Sequence, residues 1–490
     1  MLKTSTLLRA SLLLASALLA ACATNPVSGK EDLVLASQAS EVAEGRQAHD
    51  EVIAHYGRYD NPALQDFIQQ VGQQLAANSD RANLDYHFTV LDTPEVNAFA
   101  LPGGYVYITR GMLAYLNSEA ELAAVLGHEI GHVAARHSVR QQAAANVANL
   151  GYLLGSILLP ELGTPGAQQL FNVVGGAVLS GYGREHELEA DRLGAEYLAR
   201  SGYDPQAIIE VLGVLKNQEN FELQLAKQEG RPARSYHGLF ASHPDNDTRL
   251  QQVVGQAESL KASANPRINH AGFVKMLDGV TFGDGEREGV RRGNNFYHKE
   301  LGFALTFPEG WRVDNQPDRI VAQPPGGDAL LQINSEDVSE GLSPRDFMRN
   351  RLKLGNLQKG EAIQHRGMQG YTALAPARTS LGERLARITV LYFKGKAYIF
   401  GGVGADPDNP FTYDEDFINT ARSFHALTAQ ERPLAEALHI KVIQAKAGTS
   451  IAALAGNSRI PDHAEEQLRL INHLYPDGEP GPGDLIKLVE

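Results

Sequence analysis

The chain has 490 residues, 43% of them hydrophobic and 21% charged, and a formal net charge of −14 at pH 7. This length predicts more than one domain. The acidic balance, without any basic block, argues against nucleic acid as a partner and against charge-driven binding to anionic lipid. Cys22 is the only cysteine, so no disulfide can form within the chain.

The N-terminus has the pattern of a targeting segment. Residues 1–21 have a positive region and then an apolar core, as a secretory signal peptide does. Leu19–Cys22 resembles a bacterial lipobox, which implies acylation of Cys22 and a membrane anchor made of several acyl chains. A chance cysteine after an ordinary signal peptide is the alternative. We expect residues 22–30 to be a lipidated tether, and Ala23, which is not aspartate, favours the outer membrane, facing the periplasm.

The next segment predicts helices and a strand. Asn61 followed by Pro62 has the pattern of a helix start, with a cap and then a first-turn proline. The alternating run 105–109 predicts a strand. Ser118 followed three residues later by Glu121 is a capping box, and apolar residues then recur at helical spacing. These signals predict an amphipathic helix of roughly five turns.

That helix carries the run His128 to His132, which reads H-E-x-x-H. The two histidines lie one turn apart on the same face, where their ring nitrogens can bind one zinc ion. Glu129 is turned to the side and can reach a metal-bound water as general base. Gly127 and Gly131 indicate the close approach of another backbone or of a substrate. The alternative is an ordinary pair of surface histidines, and other first-row metals also suit these ligand types.

A catalytic zinc needs a third protein ligand, and an acidic helix downstream offers one. Glu187 and Asp191 are four residues apart and share a face. Glu187 can bind the metal, and Asp191 can accept the distal N–H of a ligand histidine and fix its tautomer. Glu185, His186 and Glu189 are rivals for the ligand role. A solvated acidic face is the alternative for the whole run.

The order of these motifs is similar to that of a known family. The run Asn97-Ala98-Phe99-Ala100-Leu101-Pro102-Gly103-Gly104, then the H-E-x-x-H run, then Glu187 and Asp191, resembles the BepA/HtpX-type zinc metallopeptidases. These are relatives of the membrane CAAX-prenyl endopeptidases, and the match runs from about residue 25 to about residue 254. The resemblance implies a gluzincin-like, mostly helical domain with a small sheet. It also implies one Zn²⁺ per chain held by His128, His132 and Glu187, with Glu129 as the base.

The resemblance extends to the substrate. It places the peptide beside Asn97, Ala98, Phe99 and Ala100. In zinc proteases an edge strand in the place of residues 105–109 holds the substrate extended by main-chain hydrogen bonds. Packing within a sheet through its aromatic residues is the alternative for that strand.

Two further histidines, His137 and His243, have predicted roles near the motif. Family members often have a His-Pro pair after the glutamate helix, here His243 and Pro244. His243 is a candidate oxyanion stabiliser or a reversible fourth ligand that keeps the enzyme latent, and the alternative is a histidine at a helix start. His137 is one residue too far from His132 to share its helical face, so we expect it to be structural or to support a ligand.

The segment from residue 141 to residue 183 is apolar, with Glu161 as its one charged residue. Prolines and glycines break it into pieces too short to cross a bilayer. We favour a buried helical pair beside the cleft, with a mobile lid or a partner-docking surface as alternatives.

Composition divides the rest of the chain. We predict a zinc metallopeptidase domain at 31–255, a linker at 256–295 and an α+β accessory domain at 296–428. The accessory domain has no defensible catalytic cluster, which favours packing, substrate docking or partner binding. Residues 434–490 resemble a βααβ LysM-like module, whose relatives commonly bind peptidoglycan. Thr449 replaces its usual aspartate, so glycan binding is an open question. The overall prediction is a multidomain α+β chain.

Three functions fit these patterns. The first is a zinc endopeptidase of the cell envelope that acts on periplasmic or outer-membrane proteins as quality control. The alternative is a chaperone-like or scaffolding lipoprotein with a latent zinc site, working with the outer-membrane assembly machinery. The third is a metalloenzyme that acts on peptidoglycan, suggested by the LysM-like tail.

Overall fold

A computed structural model gives the fold. It describes residues 22–29, 31–33, 36–143, 183–228, 249, 252, 260, 264–316, 318–338, 341–379 and 382–490. The chain forms two compact units, Met1–Phe282 with His439–Glu490 and Gly283–Leu438. Both units combine helices with sheets, so the predicted α+β class is confirmed. Within the described ranges, no helix is both long and apolar enough to cross a membrane.

Most of the longer helices lie in the first unit. The helices are α1 (Gln38–Tyr56), α2 (Pro62–Ala76), α3 (Arg110–Tyr115), α4 (Glu119–Ala134), α5 (Arg184–Arg200), α6 (Ala207–Gln228), α7 (His270–Met276), α8 (Asp414–Ser423), α9 (Ile451–Ala455) and α10 (Ala464–Ile471). The predicted start of α2 is confirmed, because the Asn61 side chain accepts the Leu64 N–H at 3.1 Å. The chain also makes a helical turn at Pro344–Asp346 and a π-helical turn at Phe347–Arg351.

The strands form five sheets in the described part of the chain. The strands are β1 (Cys22–Thr24), β2 (Glu31–Leu33), β3 (His87–Leu91), β4 (Ala98–Leu101), β5 (Tyr105–Thr109), β6 (Thr281–Phe282), β7 (Val290–Arg292), β8 (Asn295–His298), β9 (Phe303–Thr306), β10 (Arg312–Asn315), β11 (Ile320–Gln323), β12 (Ala329–Asp337), β13 (Gln358–His365), β14 (Met368–Thr379), β15 (Gly382–Phe393), β16 (Lys396–Gly404), β17 (His425–Ala426), β18 (Leu438–Gln444) and β19 (Leu485–Val489). In the first unit their orders are β1-β2, β3-β5-β4 and β19-β18-β6.

Strand β5 is the centre of its sheet, parallel to β3 and antiparallel to β4. All five of its residues are buried. The expectation that residues 105–109 form an edge strand is therefore wrong, because neighbours on both sides occupy the hydrogen-bonding groups of the β5 backbone. The two edge strands of this sheet are β3 and β4.

The second unit contains a seven-stranded antiparallel sheet and a four-stranded sheet. Their orders are β10-β11-β12-β16-β15-β14-β13 and β17-β9-β8-β7. The predicted strands at 303–307, 329–334, 384–393 and 397–403 are confirmed as β9, β12, β15 and β16. One hydrophobic cluster contains Phe303, Leu331, Phe400 and Phe424, and another contains Phe347, Ile388 and Val390. Alternation of side chains across the strands gives each face its own core.

The C-terminal segment has the order β18, α9, α10, β19. Its two strands pair antiparallel, with Ile440 opposite Val489, and β6 joins them as a third strand. This segment lies in the same compact unit as α4 and α5. Helix α7 and β6 lie there too, although they fall inside the predicted linker 256–295. The likeness to a LysM module stays a prediction.

Candidate metal centre

Helix α4 begins where the sequence predicts. The Ser118 side chain accepts the Glu121 N–H at 3.1 Å and donates its own hydroxyl to Glu121 Oε1 at 3.1 Å. Glu121 Oε2 also accepts the Asn117 N–H at 2.9 Å. The Glu121 carboxylate therefore stabilises the N-terminus of α4 through both of its oxygens. Burial raises the pKa of Glu121. Every residue of α4 is buried, and the helix is therefore held on all sides.

Three side chains meet on the inner face of α4 and α5. His128 Nε2 lies 3.0 Å from His132 Nε2, and the Glu187 carboxylate oxygens lie 3.6 Å from His128 Nε2 and 3.5 Å from His132 Nε2. In a tetrahedral zinc site with bonds of about 2.0–2.2 Å, neighbouring ligand atoms lie roughly 3.3–3.6 Å apart. The two distances to the Glu187 carboxylate fall within that range, and the two histidine nitrogens lie slightly closer together than it. Of the residues the structure describes, this is the one group of three or more potential ligands close enough for an ion.

Close packing of α4 against α5 brings Glu187 to the two histidines. A Cβ atom added to Gly131 would lie 3.0 Å from the Ala190 carbonyl oxygen, and one added to Gly194 would lie 3.0 Å from the His128 nitrogen. Side chains at these positions would push α4 and α5 apart. The close approach predicted from Gly127 and Gly131 is thus made by the backbone of α5.

Asp191 supports the first histidine of the group. Its Oδ1 lies 2.8 Å from His128 Nδ1, the nitrogen that points away from Glu187. Arg249 donates to both oxygens of Asp191, at 2.8 and 2.7 Å, and its third nitrogen lies 3.2 Å from Glu187 Oε2. Burial alone would raise the pKa of Asp191, but the Arg249 charge and hydrogen bonds outweigh it and lower that pKa. Asp191 therefore stays ionised and can accept the His128 N–H.

Arg249 is the residue of this site whose role the sequence did not reveal. It lies 58 residues beyond Asp191, shortly after the candidate ligand His243. A lone arginine has no sequence signature as the partner of a buried acid. The available hint was the count of carboxylates in 184–191, because buried carboxylates need a cation nearby.

The rival ligands have other contacts. Glu189 Oε2 lies 3.0 Å from His137 Nε2 and accepts from Arg140 at 3.1 Å. The pKa of Glu189 is lowered to about 2, chiefly by the hydrogen bond from His137. The His186 ring stacks on that of His137 at 4.3 Å, and Glu185 is exposed.

Glu129 is buried beside the histidines, with 1% of its surface exposed. It lines a pocket between α4 and α6 together with His128 and the aliphatic side chains of Ile208, Leu212 and Leu215. A carboxylate next to a metal-binding histidine, facing a pocket, is placed for proton transfer.

Strand β4 borders the other side of the centre. Ala100 and Leu101 line a second pocket together with His132. Ala98, Phe99 and Ala100 lie within this edge strand, as the substrate prediction needs, and Asn97 precedes it. The Asn97 carbonyl accepts from the Thr109 N–H at 3.0 Å, so Asn97 also pairs with β5.

Two predicted residues have no described side chain. His243 lies outside the residues that the structure describes, so its proposed roles stay predictions. The backbone of Cys22 pairs with Leu33 in the β1–β2 ribbon, while its side chain is not described. Part of the predicted tether 22–30 therefore forms a strand. Most of the apolar segment 141–183 also lies outside the described residues.

Residues 62–257 match the sequence model of Peptidase family M48. The chain carries an M48 peptidase domain. The beta-barrel assembly-enhancing protease of Yersinia pestis is 33% identical over 224 residues, which cover 44% of this chain and 43% of that protein. The same-named protease of Escherichia coli (strain K12) is 32% identical over 209 residues, covering 41% and 40%. The metalloprotease YcaL of Escherichia coli (strain K12) is 28% identical over 194 residues, covering 40% and 70%.

The family resemblance predicted from the motifs is thus confirmed. The chain spans less than half the length of the first two relatives. The M48 match contains α4, α5 and Arg249 and ends before α7. The residues from α7 to β6 and the C-terminal segment therefore belong to the same compact unit but lie outside the family match.

Proposed function

We propose that this protein is a zinc-dependent endopeptidase of the bacterial cell envelope that hydrolyses periplasmic or outer-membrane proteins. The observation that carries the proposal is the convergence of His128, His132 and Glu187 on one point, with Glu129 beside them. The M48 domain supports the same activity, and the relatives named above are proteases.

The ligand set fits zinc, because two imidazoles and one carboxylate leave a fourth position open. A bound zinc would supply a Lewis acid that polarises the scissile carbonyl and lowers the pKa of water. His128 and His132 would hold the ion through Nε2, and Glu187 through its carboxylate. Asp191 keeps the His128 proton on Nδ1, which leaves Nε2 free to bind.

Glu129 moves the proton. As general base it takes a proton from the attacking water while the water oxygen bonds to the carbonyl carbon. The protonated Glu129 then gives that proton to the nitrogen of the leaving amine as the C–N bond breaks. The carboxylate is regenerated, so one water is consumed for each peptide bond cleaved.

The outer edge of β4, which pairs with no other strand in the described part of the chain, is suited to hold the substrate. An edge strand offers unpaired N–H and C=O groups that an extended peptide can pair with. Ala100 and Leu101 lie on this strand beside His132, so a peptide added there would run past the metal ligands. Main-chain pairing places little demand on substrate sequence, which suits a quality-control protease.

Replacing Glu129→Gln tests the mechanism. The variant keeps the shape and the metal ligands but lacks the base, so proteolysis of an unfolded protein should fall about 10²- to 10⁴-fold with zinc content unchanged. Glu185→Gln makes the same charge change at an exposed position and should retain activity. A Glu129→Gln protein with full activity would sink the mechanism. Loss of proteolysis with full rescue of a deletion strain would favour the chaperone-like alternative.

The location is also a proposal. Acylated Cys22 would anchor the enzyme at the outer membrane, close to β-barrel proteins, and the names of the relatives suit such substrates. Mass spectrometry of the protein extracted from envelopes should find acyl groups on Cys22, and Cys22→Ser should move it to the soluble fraction. An unmodified N-terminal peptide that retains Cys22 would contradict the anchor.

A further inference from the structure

The two histidines of the centre are supported in different ways. His128 Nδ1 faces the Asp191 carboxylate directly, at 2.8 Å. His132 Nδ1 lies 2.8 Å from another imidazole nitrogen, Nδ1 of His137. A neutral imidazole carries no negative charge with which to support the His132 N–H. It can give such support only if a charged group contacts its other ring nitrogen.

A carboxylate contacts the other ring nitrogen of His137. The side chain of His137 is fully buried, and its Nε2 lies 3.0 Å from Glu189 Oε2. Glu189 is partly exposed, and Arg140 donates to the same oxygen at 3.1 Å. The ring of His186 stacks on His137 at 4.3 Å and restricts its rotation. His132, His137 and Glu189 thus form one continuous chain of contacts.

We infer that His137 and Glu189 are positioning residues that hold His132 in the tautomer and orientation needed to bind a divalent first-row metal. The inference rests on the proposed metal centre. His132 would hold a metal through the lone pair of Nε2, which would leave its proton on Nδ1, where it can be donated to His137 Nδ1. His137 then carries its proton on Nε2 and donates it to Glu189. Each ring nitrogen has one role in this arrangement.

In this relay of His132, His137 and Glu189, His137 supports the second histidine of the motif. An N–H held by an acceptor makes the opposite nitrogen a better ligand, and such supporting contacts typically change metal affinity about 10- to 100-fold. On the His128 side a buried carboxylate supplies this support. On the His132 side the carboxylate is 3.0 Å beyond an intervening imidazole.

Zinc affinity of the purified protein tests the relay, measured by competition with a chelator. His137→Phe removes the acceptor and should weaken zinc binding about 10- to 100-fold. His137→Gln keeps a carbonyl acceptor and should recover part of the affinity. Glu189→Gln should weaken binding less than His137→Phe, because an amide oxygen still accepts but carries no charge. Glu185→Gln is the matched control on the same helix and should bind zinc as wild type does.

The outcomes separate the relay from the peptidase proposal. Thermal unfolding of metal-free Glu189→Gln, a change at a partly exposed side chain, should stay close to that of wild type, which distinguishes positioning from general destabilisation. Wild-type zinc affinity in His137→Phe, or equal losses in Glu189→Gln and Glu185→Gln, would overturn the relay and leave the peptidase proposal standing. Zinc binding without cleavage in wild type would overturn the peptidase, while the order of variant affinities still decides the relay. A wild type that binds no zinc would overturn both.

Discussion

Arg249 is the residue on which the charge balance of the centre depends. It reaches both oxygens of Asp191 and one of Glu187, and both acids are fully buried. Removing one partner of a buried ion pair typically costs about 3–5 kcal/mol, because the remaining charge stays out of water. We expect Arg249→Met to lower the free energy of unfolding of the metal-free protein by about that amount, measured by urea denaturation.

Arg200→Met is the control for that prediction. Arg200 pairs with Glu196 and Asp80 at the surface, and its side chain is 44% exposed. Exposed pairs contribute roughly 0–1 kcal/mol, so this variant should unfold nearly as wild type does. Equal losses in the two variants would show that Arg249 has no special role.

At the residue scale, the sequence predicted what lies within one helix. The spacing of His128 and His132, and that of Glu187 and Asp191, fixes which side chains share a face. Helical spacing does not account for the contact between His137 and His132, because α4 ends at Ala134 and Arg136 adopts a left-handed conformation with φ 57°. This turn brings His137 back onto His132, whereas a continuing helix would have carried it away.

At the scale of elements, the contact between α4 and α5 decides whether the ligands meet. Gly194 lies against the backbone of His128, where an added Cβ would be 3.0 Å from the His128 nitrogen. Gly194→Val should force the helices apart, lower the free energy of unfolding by about 1–3 kcal/mol and weaken zinc binding. Urea denaturation and chelator competition measure the two effects.

Gly213→Ala is the matched control within a helix. A Cβ at Gly213 in α6 meets nothing within 4 Å. Alanine there should leave zinc binding unchanged and stabilise the helix by roughly 0.5–1 kcal/mol. Wild-type zinc affinity in Gly194→Val would contradict a need for close packing at the centre.

Helices and strands were predictable where the sequence signal is local. Which elements pack or pair with each other was not predictable. The start of α4 at Ser118 and the alternation in β12 are properties of short windows. Which strand lies at a sheet edge depends on pairing between distant segments, which is why β5 was misjudged as the edge. Helix α7 has only seven residues, too few for periodicity to reveal which face is buried.

At the scale of the molecule, the C-terminal segment contributes to the start of the active-site helix. Lys487 is fully buried, and its ammonium donates to the carbonyls of Ala114 and Leu116 at 2.7 and 2.8 Å. His473 Nε2 donates to the Tyr115 carbonyl at 3.0 Å, and the Ile471 carbonyl accepts from an Asn117 amide at 3.0 Å. The turn between α3 and α4 is thus bonded to residues more than 350 positions away.

Replacing Lys487 tests this connection. Lys487→Met leaves two buried carbonyls without their donor, and each unsatisfied group costs about 1–3 kcal/mol. Burial lowers the pKa of Lys487, so relief from burying its charge offsets part of that loss. We expect a lower thermal midpoint and a loss of proteolysis. Lys441→Met, at an exposed position of β18, should change neither; full activity in Lys487→Met would mean that the segment is dispensable for the active site.

The resemblance to a βααβ LysM-like unit suggested a separate module at 434–490. The sequence could not show that one face of this segment packs on α3 and α4. Lysine is almost always exposed in proteins, so the pattern gave no sign that Lys487 is buried. Its burial is a property of the assembled unit. Whether residues 434–490 also bind glycan stays a prediction.

The most direct test of the whole account is the metal content of the purified protein, measured alongside cleavage of an unfolded protein. The account predicts one zinc per chain in both wild type and Glu129→Gln, with cleavage by wild type alone. A protein that binds no metal would contradict the central claim that His128, His132 and Glu187 form a catalytic zinc site.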